Sequence, residues 1–172
     1  MLDHQPLCHL SANSPCVQAG FDRVLGSSNV ITYITYSLHT HSLKLQSHVA
    51  DVLAALCILS VTSGHAIVLA AFSDFKVNYN ESFRFEYLVS SIAVPDHDGA
   101  SDAGAPDEEQ EDEAGLWEYR AAGMALINAL VNGPNDLEDR IALRDEFARR
   151  GLNEVMIVSR ADLAARRSGG RP

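Results

Sequence analysis

The chain has 172 residues, a length that fits one domain or a fragment of one, and 47% of them are hydrophobic. Such a composition excludes wholesale disorder. The formal net charge of −10 is spread unevenly, because nine acidic residues and no Lys or Arg lie between residues 95 and 114. The rest of the chain carries 14 acidic and 13 basic residues. It therefore offers no basic surface for phosphate backbones, and we expect no nucleic-acid partner.

Cysteine usage predicts a reducing, cytoplasmic compartment. The chain has three cysteines, an odd number, and Cys57 lies inside the apolar run of residues 52–59. The first ten residues lack the basic head and apolar stretch of a signal peptide. Residues 52–72 carry no formal charge and are long enough to span a bilayer, but Thr62, Ser63 and Gly64 interrupt them. We expect two buried helices there and no membrane span, with a small membrane protein as the least favoured alternative.

Apolar residues recur at spacings of three and four along most of the chain, which predicts helices almost everywhere. Only residues 31–36, where Ile and Thr alternate with Tyr, would also tolerate a strand, and that alternative stays open. The predicted helices cover residues 16–25, 29–38, 43–60, 65–75, 82–92, 116–132, 136–150 and 152–160.

Capping residues set several of these boundaries. Ser42 can cap the helix of residues 43–60, Gly64 lies just past its end, and Gly133 with Pro134 stops the helix of residues 116–132. Asn135 or Asp136 can cap the helix that follows. We expect disorder in the acidic insertion of residues 95–114, in a leader of residues 1–15 and in a tail of residues 159–172. Short turns without a heptad repeat predict an all-α fold, a fragment of an α-solenoid.

Residues that could carry chemistry do not form a recognisable catalytic pattern. His39 and His41, with Cys8, His9 and Cys16 upstream, are zinc-ligand types, but their spacing does not match a structural zinc site. Cys57 lies in an apolar helical stripe, where a thiol is inert, and His65 at a helix start is predicted to be a surface or capping residue. We therefore expect no enzyme activity, no metal and no cofactor.

Two helices near the C-terminus carry a more informative pattern. Leu137, Ile141, Arg144 and Phe147 share one helical stripe, and Asn128 and Asn132 lie one turn apart on the preceding helix. A ladder of Asn can bond the main chain of a bound peptide, because each amide offers a donor and an acceptor. The alternative, in which both amides satisfy nearby turns, has nearly equal weight.

Several segments resemble the armadillo region of diaphanous-related formins, in particular its fungal branch. Residues 54–60 (AALCILS), 64–75 (GHAIVLAAFSDF) and 83–92 (FRFEYLVSSI) are similar to that region, and residues 20–38 resemble a preceding repeat. Residues 126–152 (LINALVNGPNDLEDRIALRDEFARRGL) are similar to the hallmark segment that follows. The resemblance covers about residues 16–158 and implies an armadillo-like regulatory domain over that range.

The resemblance also implies partners and a site. A Rho-type GTPase would displace the formin's own autoregulatory peptide from the domain, which would control actin filament assembly in cell polarity and cytokinesis. Actin itself would be reached only indirectly, through other formin domains, and the protein would be cytoplasmic and cytoskeleton-associated. The NAL segment at residues 128–130 corresponds to the family helix that lines the peptide groove. Asn128, Ala129 and Asn132 are therefore the candidate peptide contacts.

Two departures from the family pattern qualify these expectations. Residues 1–15 do not resemble the GTPase-docking helices, and residues 159–172 leave the pattern without a dimerisation segment or actin-assembly domains. We expect a truncated fragment on that ground. The alternatives are a generic helical-repeat scaffold or a fragment without formin activity.

Overall fold

The computed structural model describes residues 26–60, 63–93 and 106–169, together with Gly20 and Arg23. Within these ranges the backbone forms helices and no strand, which confirms the all-α prediction. The predicted leader and most of the predicted helix of residues 16–25 lie outside the described residues. The helices are α1 (Ser28–Tyr36), a 3₁₀ turn (Ser37–His39), α2 (Leu43–Leu59), α3 (Ser63–Asn78), α4 (Glu86–Ser91), α5 (Pro106–Asn132), α6 (Leu137–Ala148) and α7 (Leu152–Gly169).

The helices stack as repeats. α2 packs most extensively against α5, and α1 packs against α3, so helices that are not consecutive in the chain lie side by side, as in a stack of helical repeats. The core follows these two contacts, with Leu53, Leu126 and Leu130 fully buried between α2 and α5. This arrangement is the armadillo-like stack that the sequence predicted.

Residues 31–36, for which the sequence also allowed a strand, are helical and belong to α1. The β-branched residues of α1 fit a helix because Ile31 and Thr35 turn inward, and the Thr35 hydroxyl donates to the Ile31 carbonyl oxygen over 2.9 Å. Burial on one helical face therefore overrides the β propensity of this segment.

Helix α2 begins as predicted. The Ser42 hydroxyl accepts a hydrogen bond from the Leu45 backbone N–H at 3.4 Å. Its buried stripe is narrower than the apolar pattern, since Leu45, Val52 and Leu59 are 45%, 46% and 66% exposed. Gly64 does not end this helix, because it lies inside the first turn of α3.

The predicted helix of residues 82–92 is shorter in the structure and begins at Glu86. Phe85 adopts a left-handed backbone conformation with φ of 69°, which a helix cannot include. The Glu86 carboxylate accepts hydrogen bonds from the backbone N–H groups of Ser82 and Phe83, and these bonds hold the preceding residues in a turn.

Helix α5 begins in the acidic segment, ten residues before the predicted start. Residues 106–114 are thus helical, which corrects the predicted disorder for this part, and residues 94–105 lie outside the described residues. Pro106 suits a first helical position, and the acidic residues that follow suit the positive end of the helix dipole. The disorder predicted for the tail is corrected in the same way, because α7 continues to Gly169 and residues 159–169 are helical.

Helix α6 buries only part of the stripe that the sequence groups together. Leu143 and Phe147 are buried, whereas Leu137 and Ile141 are 59% and 48% exposed. The Phe147 ring stacks on that of Phe85, with centroids 4.4 Å apart. This contact, rather than the apolar residues of its first turn, fixes the rotation of α6 about its axis.

Candidate functional site

The three candidate residues lie together on the last two turns of α5. Asn128 and Asn132 are exposed, and Ala129 beside them is 8% exposed. The Asn132 amide nitrogen donates to the Asn128 side-chain oxygen over 2.6 Å and to its backbone oxygen over 3.0 Å. The Arg144 guanidinium approaches the Asn132 side-chain oxygen at 3.5 Å. The two amides therefore form a connected polar ridge, which we call the Asn128–Asn132 ridge.

A groove lies on each side of this ridge. The first groove, between α2 and α5, has a volume of about 350 Å³. The second groove, between α5 and the pair α6 and α7, has a volume of about 400 Å³. The first groove is lined by Cys57, Ile58, Ala125, Asn128, Ala129, Asn132 and Gly133. The second is lined mainly by apolar side chains, among them Met124, Ile127, Val131, Phe147, Leu152 and Met156, with Arg144 and Asp145 at its edge.

The sequence did not indicate the apolar walls of these grooves. Ile58 is 66% exposed on α2, and Met156 is 43% exposed on α7. One signal was available in the sequence, because Ile58 falls outside the apolar residues at spacings of three and four in its own helix. An apolar residue outside the buried stripe is a candidate for a binding surface.

His65 is buried, which corrects the predicted surface position. Its Nε2 lies 2.8 Å from the Leu130 carbonyl oxygen, so this nitrogen carries the proton and donates. The Leu130 carbonyl group belongs to the last turn of α5, where carbonyl groups lack a partner within the helix. The bond from His65 supplies that partner and ties α3 to the end of α5. His65 thereby supports the ridge from behind, and it also lines a cavity of about 550 Å³ beside α6.

Cys57 lies in the wall of the first groove but is not activated. Burial raises the pKa of its thiol to about 12, so it remains protonated at neutral pH. Among the described residues, no group of three or more His, Cys, Asp or Glu side chains is arranged to hold a metal ion. His39 instead stacks on the Tyr79 ring, with centroids 4.4 Å apart. The ridge and its grooves offer the hydrogen bonds of the two amides and the apolar contacts of the groove walls.

Comparison with known proteins assigns the chain to a family. The family model for the Diaphanous FH3 Domain matches residues 65–160, more than half of the chain. The match includes the ridge, the α5 side of both grooves and the α6 side of the second groove. The chain belongs to the diaphanous FH3 domain family. This result confirms the formin resemblance.

Curated relatives agree with this assignment. The chain is 30% identical to Formin-F of Dictyostelium discoideum over 141 residues, 82% of this chain and 10% of that protein. It is 31% identical to Formin-like protein 3 of Homo sapiens over 143 residues, 83% of this chain and 12% of that protein. Formin-like protein 2 of Homo sapiens is 30% identical over 81% of this chain. The chain thus spans about a tenth of the length of these relatives.

Membership places the chain in the regulatory FH3 region of formins. Within the ranges that the structure describes, no helix combines the length and the apolar character that a membrane crossing needs. Within the uncharged run of the sequence, residues 52–59 belong to α2 and residues 63–72 belong to α3.

Proposed function

We propose that this chain is the regulatory binding module of a formin, binding the formin autoregulatory peptide and a Rho-type GTPase in competition to control actin filament assembly. The observation that carries the proposal is the Asn128–Asn132 ridge, exposed between two grooves within a diaphanous FH3 domain. Actin would be contacted through other formin domains, and the protein would be cytoplasmic and cytoskeleton-associated.

The shape of the ridge and first groove suits an amphipathic helix. Such grooves bind apolar anchor residues together with a few oriented polar groups. Ala129 is small, so a peptide can approach the α5 backbone closely, and Ile58 provides an apolar wall across the groove. The ridge amides retain hydrogen-bonding capacity, since each primary amide has two donors and two acceptor positions.

The GTPase would act by displacing this peptide. Two ligands that exclude each other on one domain are linked by a coupling free energy, and no bond needs to be made or broken in the domain. Relief of autoinhibition would then follow from competition, and GTPase binding would weaken the apparent affinity of the peptide by the same factor as the peptide weakens that of the GTPase.

Calorimetric titration with a synthetic formin autoregulatory peptide tests the proposal. We expect Ala129→Asp to weaken binding by about 1–3 kcal/mol or more, because an unpaired carboxylate would face the apolar side of the peptide. Ile58→Glu should weaken binding similarly, and its site is exposed, so folding should be unaffected. Ala70→Asp, an exposed position on α3 that lines neither groove, is the matched control.

Circular dichroism of all variants separates loss of binding from loss of folding. Equal affinities of the wild type, Ile58→Glu and Ala70→Asp proteins would place the peptide elsewhere. Absence of binding by the wild type would contradict the autoregulatory function of this chain.

A further inference from the structure

A separate pocket of about 300 Å³ opens where the 3₁₀ turn, the end of α3 and the start of α4 meet. We call it the Tyr79–Tyr87 pocket, and it shares no lining residue with the two grooves beside the ridge. It is lined by His39, Tyr79, Asn80, Glu81, Ser82, Glu86, Tyr87 and Ser90.

Three rings in contact form one side of this pocket. The His39 ring lies 4.4 Å from the Tyr79 ring, almost parallel to it, and 4.9 Å from the Tyr87 ring. The tyrosines are fixed by hydrogen bonds, since the Tyr79 hydroxyl donates to the Tyr36 carbonyl oxygen and the Gln46 amide donates to the Tyr87 hydroxyl. The aromatic surface is therefore organised before any ligand arrives.

Two carboxylates form the other side. Each uses one oxygen to hold the turn: Glu86 accepts from the Ser82 and Phe83 backbone, and Glu81 accepts from the Tyr87 backbone N–H over 3.0 Å. The second oxygen of Glu81 is buried and has no hydrogen-bond partner. The turn therefore uses one carboxylate oxygen of Glu81, and the other oxygen has no hydrogen-bond partner within the turn.

The electrostatics of the pocket favour a cation. Its described lining residues carry two acidic groups and neither Lys nor Arg. Burial raises the pKa of the Glu81 carboxyl above its ordinary value and the nearby Glu86 charge raises it further, which together outweigh the lowering by the Tyr87 backbone hydrogen bond and by His39. A desolvated carboxylate is costly unless an opposite charge is supplied, and aromatic faces attract cations as well.

We propose that the Tyr79–Tyr87 pocket binds an arginine side chain presented by a protein partner. A guanidinium group is planar, so it can stack on the rings while its N–H groups donate to carboxylate oxygens. The exposed Glu86 meets the incoming cation first, and the negative charge of Glu81 lies beside it in the same lining. An ammonium group could pair with the acids but could not stack in this way.

Nuclear magnetic resonance titration of the whole chain tests this proposal with N-acetyl-arginine amide as the probe. We expect saturable amide shifts in residues 79–91, weaker shifts with N-acetyl-lysine amide, and none with the uncharged N-acetyl-citrulline amide. The double variant Glu81→Gln with Glu86→Gln removes both charges but retains oxygen acceptors for the turn. It should weaken arginine binding on the order of tenfold or more.

Glu138→Gln with Asp139→Asn, on the exposed first turn of α6, changes the net charge equally and serves as the matched control. It should bind the arginine probe as the wild type does. Urea unfolding of both double variants checks that the turn is intact. Equal shifts with the arginine and citrulline probes, or equal weakening in both double variants, would overturn the proposal.

Discussion

Gly133 is a position where the close approach of neighbouring atoms, and not an unusual backbone angle, requires glycine. It follows α5 and lies against the buried His65 ring. A Cβ atom at this position would overlap His65 Cδ2 and lie 3.0 Å from the Ala129 carbonyl oxygen. The ring cannot retreat easily, because its Nε2 is hydrogen-bonded to the Leu130 carbonyl oxygen.

We therefore expect Gly133→Ala to lower the free energy of unfolding by about 1–3 kcal/mol, typical of overpacking in a core. Urea denaturation followed by circular dichroism measures the change. Gly115→Ala is the control, since its Cβ would meet only Leu43 at ordinary contact distances of 3.7 and 3.8 Å. That variant should be stabilised by about 0.5–1 kcal/mol because Gly115 lies inside a helix. An equal effect of the two substitutions would contradict the role assigned to His65.

The sequence predicted those residues whose neighbours are close in the chain, and missed those whose neighbours are distant. Asn128, Ala129 and Asn132 share one helix, so their proximity followed from helical spacing. His65 was misplaced on the surface because its partner, Leu130, is 65 residues away. Nothing in the local pattern indicates such a contact. The proposed role of the three ridge residues in peptide binding remains a prediction.

Helix existence was predictable, whereas helix boundaries and rotations depended on tertiary contacts. α2 and α5 carry long apolar stripes and were predicted with the correct C-terminal ends within a residue. α4 was predicted too long because Phe85, which is buried, adopts φ of 69° to reach the ring of Phe147. In α6 the same ring contact buries Phe147 and leaves Leu137 and Ile141, from the same sequence stripe, exposed. Polar segments such as residues 106–114 lack apolar periodicity, and their helical state could not be predicted from it.

An ion pair joins the turn between α3 and α4 to helix α6. Arg84 forms a bidentate ion pair with Glu146, with Nε–Oε1 and Nη2–Oε2 distances of 3.0 and 2.6 Å. The two side chains are only 26% and 23% exposed, so solvent screens them incompletely. The Arg150 guanidinium lies 3.9 Å from the centroid of the Phe83 ring and reinforces the same junction.

A double-mutant cycle with Arg84→Met and Glu146→Gln should give a coupling energy of about 1–2 kcal/mol, as expected for a partly buried, hydrogen-bonded charge pair. Urea unfolding of the four proteins measures it. The coupling should decrease in 1 M sodium chloride because salt weakens interactions between charges. Zero coupling would mean that the ion pair adds nothing to the Phe85–Phe147 and Arg150–Phe83 contacts at this junction.

At the scale of the whole molecule, the nine acidic residues between positions 95 and 114 account for nearly all of the net charge of −10. The structure indicates where their segment joins the core. Gly115 lies against Leu43, and Tyr119 is 1% exposed with its hydroxyl 2.7 Å from that of Ser91. α5 therefore contributes to the core from about Gly115 onward, and the acidic residues precede this point.

Replacing residues 96–113 with a six-residue Gly/Ser linker should leave the fold intact, with a change in melting temperature of no more than about 2–4 °C, which corresponds to roughly 1 kcal/mol. Differential scanning calorimetry provides the measurement. Stability should also become less dependent on salt, because the self-repulsion of the acidic segment is removed. A comparison deletion that extends through residue 119 removes the buried Tyr119 ring and should unfold the protein. If the shorter deletion unfolds it as well, the first turns of α5 are part of the folding unit and the acidic segment is not a separable insertion.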